Sequence, residues 1–421
     1  MSPKINPDLE PDDSLFPDHE PVIHYDATKE REKEAARKLA KKLRESGKVE
    51  PVIVTKAGLA KRASELTFTE QEDEIIRCAA NPIYFIETYL TIFDQTQGVS
   101  GLIVPFLLFE FQKELIESYR NNRFVVANKY RQAGISTTTC AYIAWYVMFN
   151  RNRQVAIVAD KLITARDELM GDVVDFIEGC PAWLRPKTGK QSEKGLKDTQ
   201  QLKVYDNDSK LGAFASKSLR GMTPTLLFWD ETAWAEKGDK FWTSAQPTLQ
   251  TGGAAIMVST PSGLDPVFYK TFMGARDIDE ETGKSSNNFH AVELWWYNDP
   301  RYTVYKEVNG FDPTKVEGQH DLEWLKNKGK NNEIRIPDEN WSKERRIQMA
   351  DDGWEATSSW FETQLKSANG DMRKIAQELL CVNFDAVIKI RNKITGIVED
   401  ITIEELYLRF KEQNNSCEYL C

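Results

Sequence analysis

The sequence lacks the residue patterns of metal centres and disulfide frameworks. Its 421 residues include six cysteines and four histidines, which are scattered along the chain without a CxxC pair. This distribution indicates neither a zinc site nor a set of disulfides and is typical of a protein in a reducing cytosol. Long hydrophobic runs are also missing. The longest, GLIVPFLLF at 101–109, is too short to span a bilayer, and the acidic, proline-rich first residues do not resemble a secretion signal.

The chain has no excess of positive charge either. Its formal net charge is -10 at pH 7, whereas proteins that hold DNA on a broad static surface are usually basic. We therefore expect any contact with nucleic acid to be local, transient or shared with another chain. On charge alone, an acidic enzyme that acts on small substrates is the better interpretation.

What the sequence does contain is a series of short apolar runs typical of buried strands. These are FVVAN (124–128), VAIVAD (155–160), TLLFWD (225–230) and AAIMVS (254–259). A polar turn follows each run and a helical segment follows most of them, which predicts an α/β fold with a mainly parallel central sheet flanked by helices. The segment 202–215 predicts a hairpin that turns near Asn207 and Asp208. After 265 the charged and aromatic chain predicts a smaller α+β subdomain.

The run FVVAN leads into a turn that looks like a phosphate-binding loop. The sequence KYRQAGIS follows it, and a helical stretch with several hydroxyl side chains begins there. This order would present backbone N–H groups and a helix N-terminus to an anion. Gly134 would let the backbone approach phosphate closely, and Ser136 or Thr137 stands where a hydroxyl ligates Mg²⁺.

The loop departs from the usual pattern in the position of its lysine. Ile135 occupies the place before Ser136 where such loops keep a lysine, but Lys129 opens the loop and could reach phosphate on its flexible stem. Arg131 adds a second cation. The alternative interpretation is a strand–turn–helix that is only capped by Ser136, with no nucleotide.

A pair of acids ends the apolar run at 226–231, which reads LLFWDE. In NTP-hydrolysing enzymes with a phosphate loop, the first acid, here Asp230, holds Mg²⁺ through water. The second, here Glu231, acts as the general base towards the attacking water. The alternative is a strand end that meets solvent.

Two weaker motifs flank these. VSTPSG at 258–263 closes the next strand, so Ser259 and Thr260 would lie beside the acids and could sense the γ-phosphate. In FEFQKELI at 109–116, Phe111 could stack on adenine while Gln112 reads its edge. A common turn and a helix with a core aromatic are the respective alternatives.

The order of these motifs resembles the ATPase half of large terminase subunits, the DNA-packaging motors of tailed phages. SKSLRGMTPTLLFWDE and IAQELLCVNF resemble that family as well, and the match covers about residues 65 to 385. The resemblance implies that the lysine has moved to position 129 and that Arg131 compensates transition-state charge. We expect the nucleotide-binding set to be Phe111, Gln112, Lys129, Arg131, Gln132, Gly134, Ile135, Ser136 and Thr137.

The resemblance also implies cofactors and partners. The loop would bind ATP, and Ser136 and Asp230 would hold Mg²⁺. Glu231 and Arg131 would be catalytic. Ser259 and Thr260 would couple hydrolysis to movement. Expected partners are double-stranded DNA, a portal protein, a small terminase subunit and further copies of the chain in a ring. The expected location is the host cytoplasm, with transient residence on the procapsid.

The sequence pattern and the resemblance together predict a division of the chain into four parts. These are a tail and exposed helix at 1–60, a phosphate-loop ATPase core at 61–265, a smaller subdomain at 266–380, and an appended segment at 381–421. The family's C-terminal nuclease does not fit in the last part, so we expect no nuclease activity. That part reads as strand, turn, strand and helix, and faintly resembles the opening of an intein.

Two other functions remain open from the sequence. A helicase-like DNA translocase would share the loop and the acid pair. A non-catalytic assembly or binding module could carry a degenerate nucleotide site.

Overall fold

The computed structural model describes most of the first two thirds of the chain and several later segments. The described residues are 51–94, 102–188, 198–217, 219, 221–250, 252–262, 267–279, 282–296, 299, 301–302, 304–307, 333–335, 354–357, 359–367, 387–391 and 398–402. Residues 1–50, which hold most of the tail and exposed helix expected at 1–60, lie outside them. Contacts divide the chain into two units, residues 1–50 with 93–103 and residues 51–92 with 104–421. The described residues of the first unit belong to two paired strands, Thr91–Asp94 and Leu102–Pro105.

Helices and strands alternate through the second unit as the sequence predicts. The helices are Phe68–Ala80 (α1), Pro82–Tyr89 (α2), Glu110–Asn121 (α3), Ile135–Phe149 (α4), Met170–Gly179 (α5), Gly238–Leu249 (α6), Phe268–Arg276 (α7) and Ser359–Ser367 (α8). The strands, numbered along the whole chain, are Val52–Val54 (β1), Ala60–Arg62 (β2), Thr91–Asp94 (β3), Leu102–Pro105 (β4), Phe124–Asn128 (β5), Gln154–Ala159 (β6), Leu202–Val204 (β7), Lys210–Ala215 (β8), Leu226–Asp230 (β9), Ala254–Ser259 (β10), His290–Glu293 (β11), Val304–Glu307 (β12), Glu333–Arg335 (β13), Trp354–Thr357 (β14), Val387–Arg391 (β15) and Val398–Thr402 (β16).

Two consecutive helices, α1 and α2, meet at a single asparagine. Thr67 caps α1, because its hydroxyl accepts the Glu70 N–H and the Glu70 carboxylate accepts the Thr67 N–H at 2.8 Å. Asn81 then ends α1 and caps α2 through the Tyr84 N–H at 3.0 Å. A side chain that caps a new helix while the preceding one ends separates the two helices at this point.

A seven-stranded sheet forms the centre of the second unit, in the order β11-β5-β10-β9-β6-β8-β7. Neighbouring strands are parallel from β11 to β8, and β7 pairs antiparallel with β8. The four apolar runs are β5, β6, β9 and β10, and the predicted hairpin is β7–β8, with Asp208 at a φ of 66° in its turn. The predicted α/β fold with a mainly parallel sheet is therefore confirmed.

Helices cover both faces of this sheet, which explains why its strands are apolar at successive positions. Phe228 of β9 packs in a cluster with residues of α3, α4 and α5. The next residue, Trp229, packs in a separate cluster with residues of α6 and α7. Because side chains alternate across a strand, two covered faces favour apolar residues at successive positions, and β9 is apolar from Leu226 to Trp229. All five of its residues, including the terminal Asp230, are buried.

The sheet extends past position 265, where we expected the core to end. His290–Glu293 pairs with β5 and forms an edge strand. Later segments contain a three-stranded antiparallel sheet, β13-β12-β14. They also contain an antiparallel pair, β15 and β16, that matches the two strands expected within 381–421. The turn and helix expected around that pair lie outside the described residues, and the rest of the domain division stays a prediction. Within the described ranges, no helix combines the length and apolarity that crossing a membrane requires.

Candidate functional site

The loop between β5 and α4 has a backbone that only particular residues adopt. Gln132 and Gly134 both have a left-handed φ, 67° and 73°, and the glycine directly precedes the helix. A Cβ at Gly134 would lie 3.1 Å from Gln112 Nε2. The loop therefore needs glycine at this position for conformation and for space. It brings the N-terminus of α4 to the carboxyl edge of the sheet, where anions are bound in such folds.

Lys129 points from the start of the loop to the two acids that end β9. Its Nζ lies 3.1 Å from Glu231 Oε1 and 3.5 Å from Asp230 Oδ1, and it donates to Ser136 Oγ at 3.1 Å. Burial acts to lower the pKa of Lys129, but the charges of the two carboxylates outweigh it and raise the pKa above its ordinary value. The ammonium is therefore charged wherever the site would operate.

Position 135, where such loops usually keep their lysine, has an apolar side chain that faces the core. Its side chain is 1% exposed and lies in the core cluster beneath the sheet. Only its backbone N–H, in the first turn of α4, is available to a ligand. Arg131 and Gln132 are exposed on the loop, and Thr137 is half-buried in the first turn of α4.

The acid pair has two different environments. Asp230 is 6% exposed, and its Oδ2 accepts a hydrogen bond from Ser136 Oγ at 2.8 Å. Glu231 has a left-handed φ of 50° and a side chain that is 40% exposed. A left-handed backbone is uncommon for a residue other than glycine and is often found at functional sites. The buried Asp230 thus contacts the Ser136 hydroxyl of the loop, whereas the Glu231 side chain is accessible to solvent.

Ser259 and Thr260 join this cluster from the end of β10. Their hydroxyl oxygens lie 3.4 and 3.5 Å from Glu231 Oε2, and the Ser259 carbonyl accepts the Lys129 N–H at 3.0 Å. Thr260 Oγ1 also accepts from Trp234 Nε1 at 3.0 Å. Both residues expected to couple hydrolysis to movement therefore contact an acid, and Ser259 also contacts the start of the loop.

Phe111 and Gln112 lie at the first turn of α3, next to the loop. The Gln112 amide is engaged at both ends: its Oε1 accepts the Phe109 N–H at 3.0 Å and its Nε2 lies 3.4 Å from the Ala133 carbonyl oxygen. Phe111 is 6% exposed, and its ring stacks on Phe109 with centroids 5.6 Å apart. Gln112 thus supports the loop backbone, and adenine recognition by this pair stays a prediction.

Three further residues at the loop have no signal in the sequence. The Tyr130 hydroxyl donates to Asp299 Oδ2 at 2.5 Å, and Arg301 Nη2 lies 3.4 Å from the Gln132 carbonyl oxygen. Burial, and then the Asp299 charge, raise the pKa of Tyr130, so its hydroxyl stays protonated and donates. Sequence distance hides this contact, because 169 residues separate Tyr130 from Asp299.

The oxygen atoms at the loop fit a magnesium ion. Ser136 Oγ and Asp230 Oδ2 are 2.8 Å apart, and Mg²⁺ prefers such hard oxygen ligands with water and phosphate completing its shell. In the part of the chain that the structure describes, no group of three or more His, Cys, Asp or Glu could hold a metal by itself.

The comparisons with known proteins match a family model and several solved structures. The family model described as "Terminase large subunit, T4likevirus-type, N-terminal" matches residues 107–386. The large terminase ATPase domain of Thermus phage P74-26 is 22% identical with a TM-score of 0.33, covering 42% of this chain and 77% of that one. The HK97 bacteriophage large terminase is 13% identical with a TM-score of 0.42, covering 74% of this chain and 56% of that one. The large terminase of another thermophilic bacteriophage, in complex with ATP-gamma-S, is 13% identical with a TM-score of 0.34, and 44% of each chain is covered.

Proposed function

The chain belongs to the T4-like type of large terminase subunits, and on that premise we propose that it is an ATP-hydrolysing motor subunit that moves double-stranded DNA into a viral procapsid. One observation carries the ATPase part of this proposal. Lys129, Ser136, Asp230 and Glu231 converge at the carboxyl edge of a parallel sheet, beside a helix N-terminus. This is the set of groups that phosphoryl transfer from ATP requires.

In this proposal the loop holds the triphosphate. Backbone N–H groups before and within the first turn of α4 donate to phosphate oxygens, and Lys129 exchanges its carboxylate partners for phosphate on its flexible stem. Ser136 and Asp230 would hold Mg²⁺, which supplies positive charge to the phosphate oxygens when it is bound.

Glu231 is the group proposed to orient the attacking water and take its proton. Its side chain is the accessible one of the two acids, at 40% exposure. Contact with Ser259 and Thr260 would link loss of the γ-phosphate to movement of β10 and the chain that follows it. Arg131, exposed on the loop, is proposed to compensate charge in the transition state.

The proposed partners follow from family membership and from charge. They are double-stranded DNA, a portal protein, a small terminase subunit and further copies of this chain in a ring, acting in the host cytoplasm and on the procapsid. Because the net charge is -10, DNA would be gripped at a few phosphates without sequence preference, and binding would weaken with salt.

ATP hydrolysis by the purified chain tests this function, with double-stranded DNA, single-stranded DNA and no DNA. We expect hydrolysis that double-stranded DNA stimulates and that Glu231→Gln abolishes without loss of nucleotide binding. Stimulation by single-stranded DNA with strand separation would instead establish a helicase-like translocase. Equal behaviour of the wild type and Glu231→Gln would instead favour a non-catalytic assembly or binding module with a degenerate nucleotide site.

A further inference from the structure

Two residues, Arg301 and Tyr130, hydrogen-bond the carboxylate of Asp299. Its side chain is 0% exposed. Arg301 binds it through a fork, with Nε 3.0 Å from Oδ1 and Nη2 2.6 Å from Oδ2, and the Tyr130 hydroxyl donates to the same Oδ2. A paired arrangement of this kind fixes the planes of both groups as well as their charges. Asp299 and Arg301 are thereby attached to Tyr130, the second residue of the phosphate loop.

The same arginine reaches the loop backbone. Arg301 Nη2 lies 3.4 Å from the Gln132 carbonyl oxygen, at the residue whose φ is 67°. One position further, the Ala133 carbonyl is contacted by Gln112. Left-handed conformations of residues other than glycine persist where their surroundings over-determine them. Arg301 and Gln112, from distant parts of the chain, thus contact the consecutive carbonyls of residues 132 and 133. These contacts stabilise the left-handed conformation of Gln132.

The two holding residues are themselves joined. The Arg301 guanidinium lies over the Phe109 ring, 4.8 Å from its centroid, and the Phe109 N–H is accepted by Gln112 Oε1. The loop, the start of α3, Asp299 and Arg301 therefore belong to one network of contacts.

From this geometry we propose that Asp299 and Arg301 form a latch that positions the phosphate loop for nucleotide, with Tyr130 as its attachment point. The proposal rests on the proposed ATPase function and deepens it. These residues do not touch the reacting atoms. They act through the loop, by keeping its N–H groups aimed at the phosphates before nucleotide arrives.

The latch is connected to a more distant helix. Tyr302 follows Arg301, receives its guanidinium at 4.9 Å from the ring centroid, and stacks on Trp360 of α8 with centroids 4.1 Å apart and planes 19° apart. Displacement of α8 would disturb this stack and, through it, Arg301. The latch thus gives the loop a mechanical connection to α8 that is separate from the one through Ser259 and Thr260.

The test compares Tyr130→Phe and Arg301→Lys with the wild-type chain in steady-state ATP hydrolysis and in binding of a fluorescent ATP analogue. Tyr130→Phe removes one hydroxyl, and Arg301→Lys keeps the charge but loses the fork. A hydrogen bond to a charged group corresponds to roughly 10- to 100-fold in an equilibrium. We therefore expect KM and the analogue Kd to rise by about tenfold, with kcat falling less than KM rises.

A matched control is Arg120→Lys, because Arg120 also pairs with a carboxylate, Glu117 at 3.1 Å, in the last turn of α3, at the opposite end of that helix from the loop. It should leave KM unchanged. The Tyr130→Phe and Arg301→Lys effects should also be non-additive in the double variant, since both act on the Asp299 carboxylate. If Arg301→Lys does not fold, the isosteric Tyr130→Phe carries the test alone.

The outcomes separate the latch from the ATPase proposal. A lowered melting temperature with unchanged KM and Kd in folded variants would make these residues structural and overturn the latch. A wild-type chain that neither binds nor hydrolyses ATP would overturn both proposals. Trp360→Leu should raise KM about threefold, which is less than the rise expected from losing a contact within the latch itself. An unchanged KM would show that α8 does not act on the latch, and the roles of Asp299, Arg301 and Tyr130 would stand.

Discussion

Replacing Lys129 with methionine removes the ammonium but keeps a side chain of similar length. The structure gives two consequences. The first concerns stability, because the change leaves Asp230, 6% exposed, without its cation. Removing one partner of a buried ion pair costs roughly 3–5 kcal/mol. The pair here is long, at 3.5 Å, and Glu231 is screened by solvent, so we expect about 2 kcal/mol.

The second consequence concerns catalysis. A positively charged donor aimed at the developing charge of a reaction contributes about 10²–10³-fold in rate, so Lys129→Met should lower kcat by at least that much. The control is Ile135→Val, at the position where such loops usually keep their lysine. It trims a core side chain that is 1% exposed, and should cost about 1 kcal/mol in stability while leaving kcat within a few-fold.

The assay is ATP turnover together with a denaturation curve for each variant. Activity and stability should separate: Lys129→Met loses turnover far beyond its loss of stability, and Ile135→Val loses only stability. Because the pKa of Lys129 is raised, its stabilising contribution is present below the unfolded value and is lost as pH rises through the folded one. The stability difference between wild type and Lys129→Met should therefore persist to about pH 10. Full turnover by Lys129→Met would refute the assignment of this lysine.

Three other variants test separate parts of the account. Arg131→Ala should lower turnover by about 10³–10⁵-fold while ATP binding remains, and a loss below about tenfold would make Arg131 structural. Gly134→Ala places a Cβ 3.1 Å from Gln112 Nε2 on a left-handed backbone, so it should lower the free energy of unfolding by about 1–2 kcal/mol. It should also raise the Kd for nucleotide, and an unchanged Kd would contradict the loop's role. Glu70→Gln should remove an acid-sensitive part of stability: a hydrogen bond from Lys61, and then those from Thr67, lower the pKa of Glu70 from 4.5 to about 2. This stability is present above pH 4.5 and lost as pH falls towards 2, so acid denaturation curves of wild type and variant should converge below that range, and parallel curves would contradict the pairing.

The sequence predicted the features that depend on local pattern and on the geometry of parallel sheets. The runs that became β5, β9 and β10 are apolar at nearly every position because both sheet faces are covered. Parallel strands end at a common edge, so Lys129, Asp230 and Thr260 were expected to meet there, and the structure brings them together.

Features that depend on distant contacts were not predicted. The edge strand β11 reads HAVE, with too few apolar residues for a strand signal, because an edge strand is less covered than a central one. Asp299 and Arg301 contact the loop because they follow β11, which pairs with β5, the strand that leads into the loop. The engagement of Gln112 with Ala133 likewise requires coordinates, since a glutamine at a helix start is compatible with many partners.

The central claim is that Lys129 shares one triphosphate site with Asp230 and Glu231. A crystal structure of this chain with ATP-gamma-S and Mg²⁺ tests it most directly. We expect Lys129 Nζ within hydrogen-bonding distance of a β- or γ-phosphate oxygen, with Ser136 and Asp230 at the metal and Glu231 facing the γ-phosphate. Nucleotide bound elsewhere, or bound at this loop with Lys129 still paired to the acids and no phosphate contact, would contradict it.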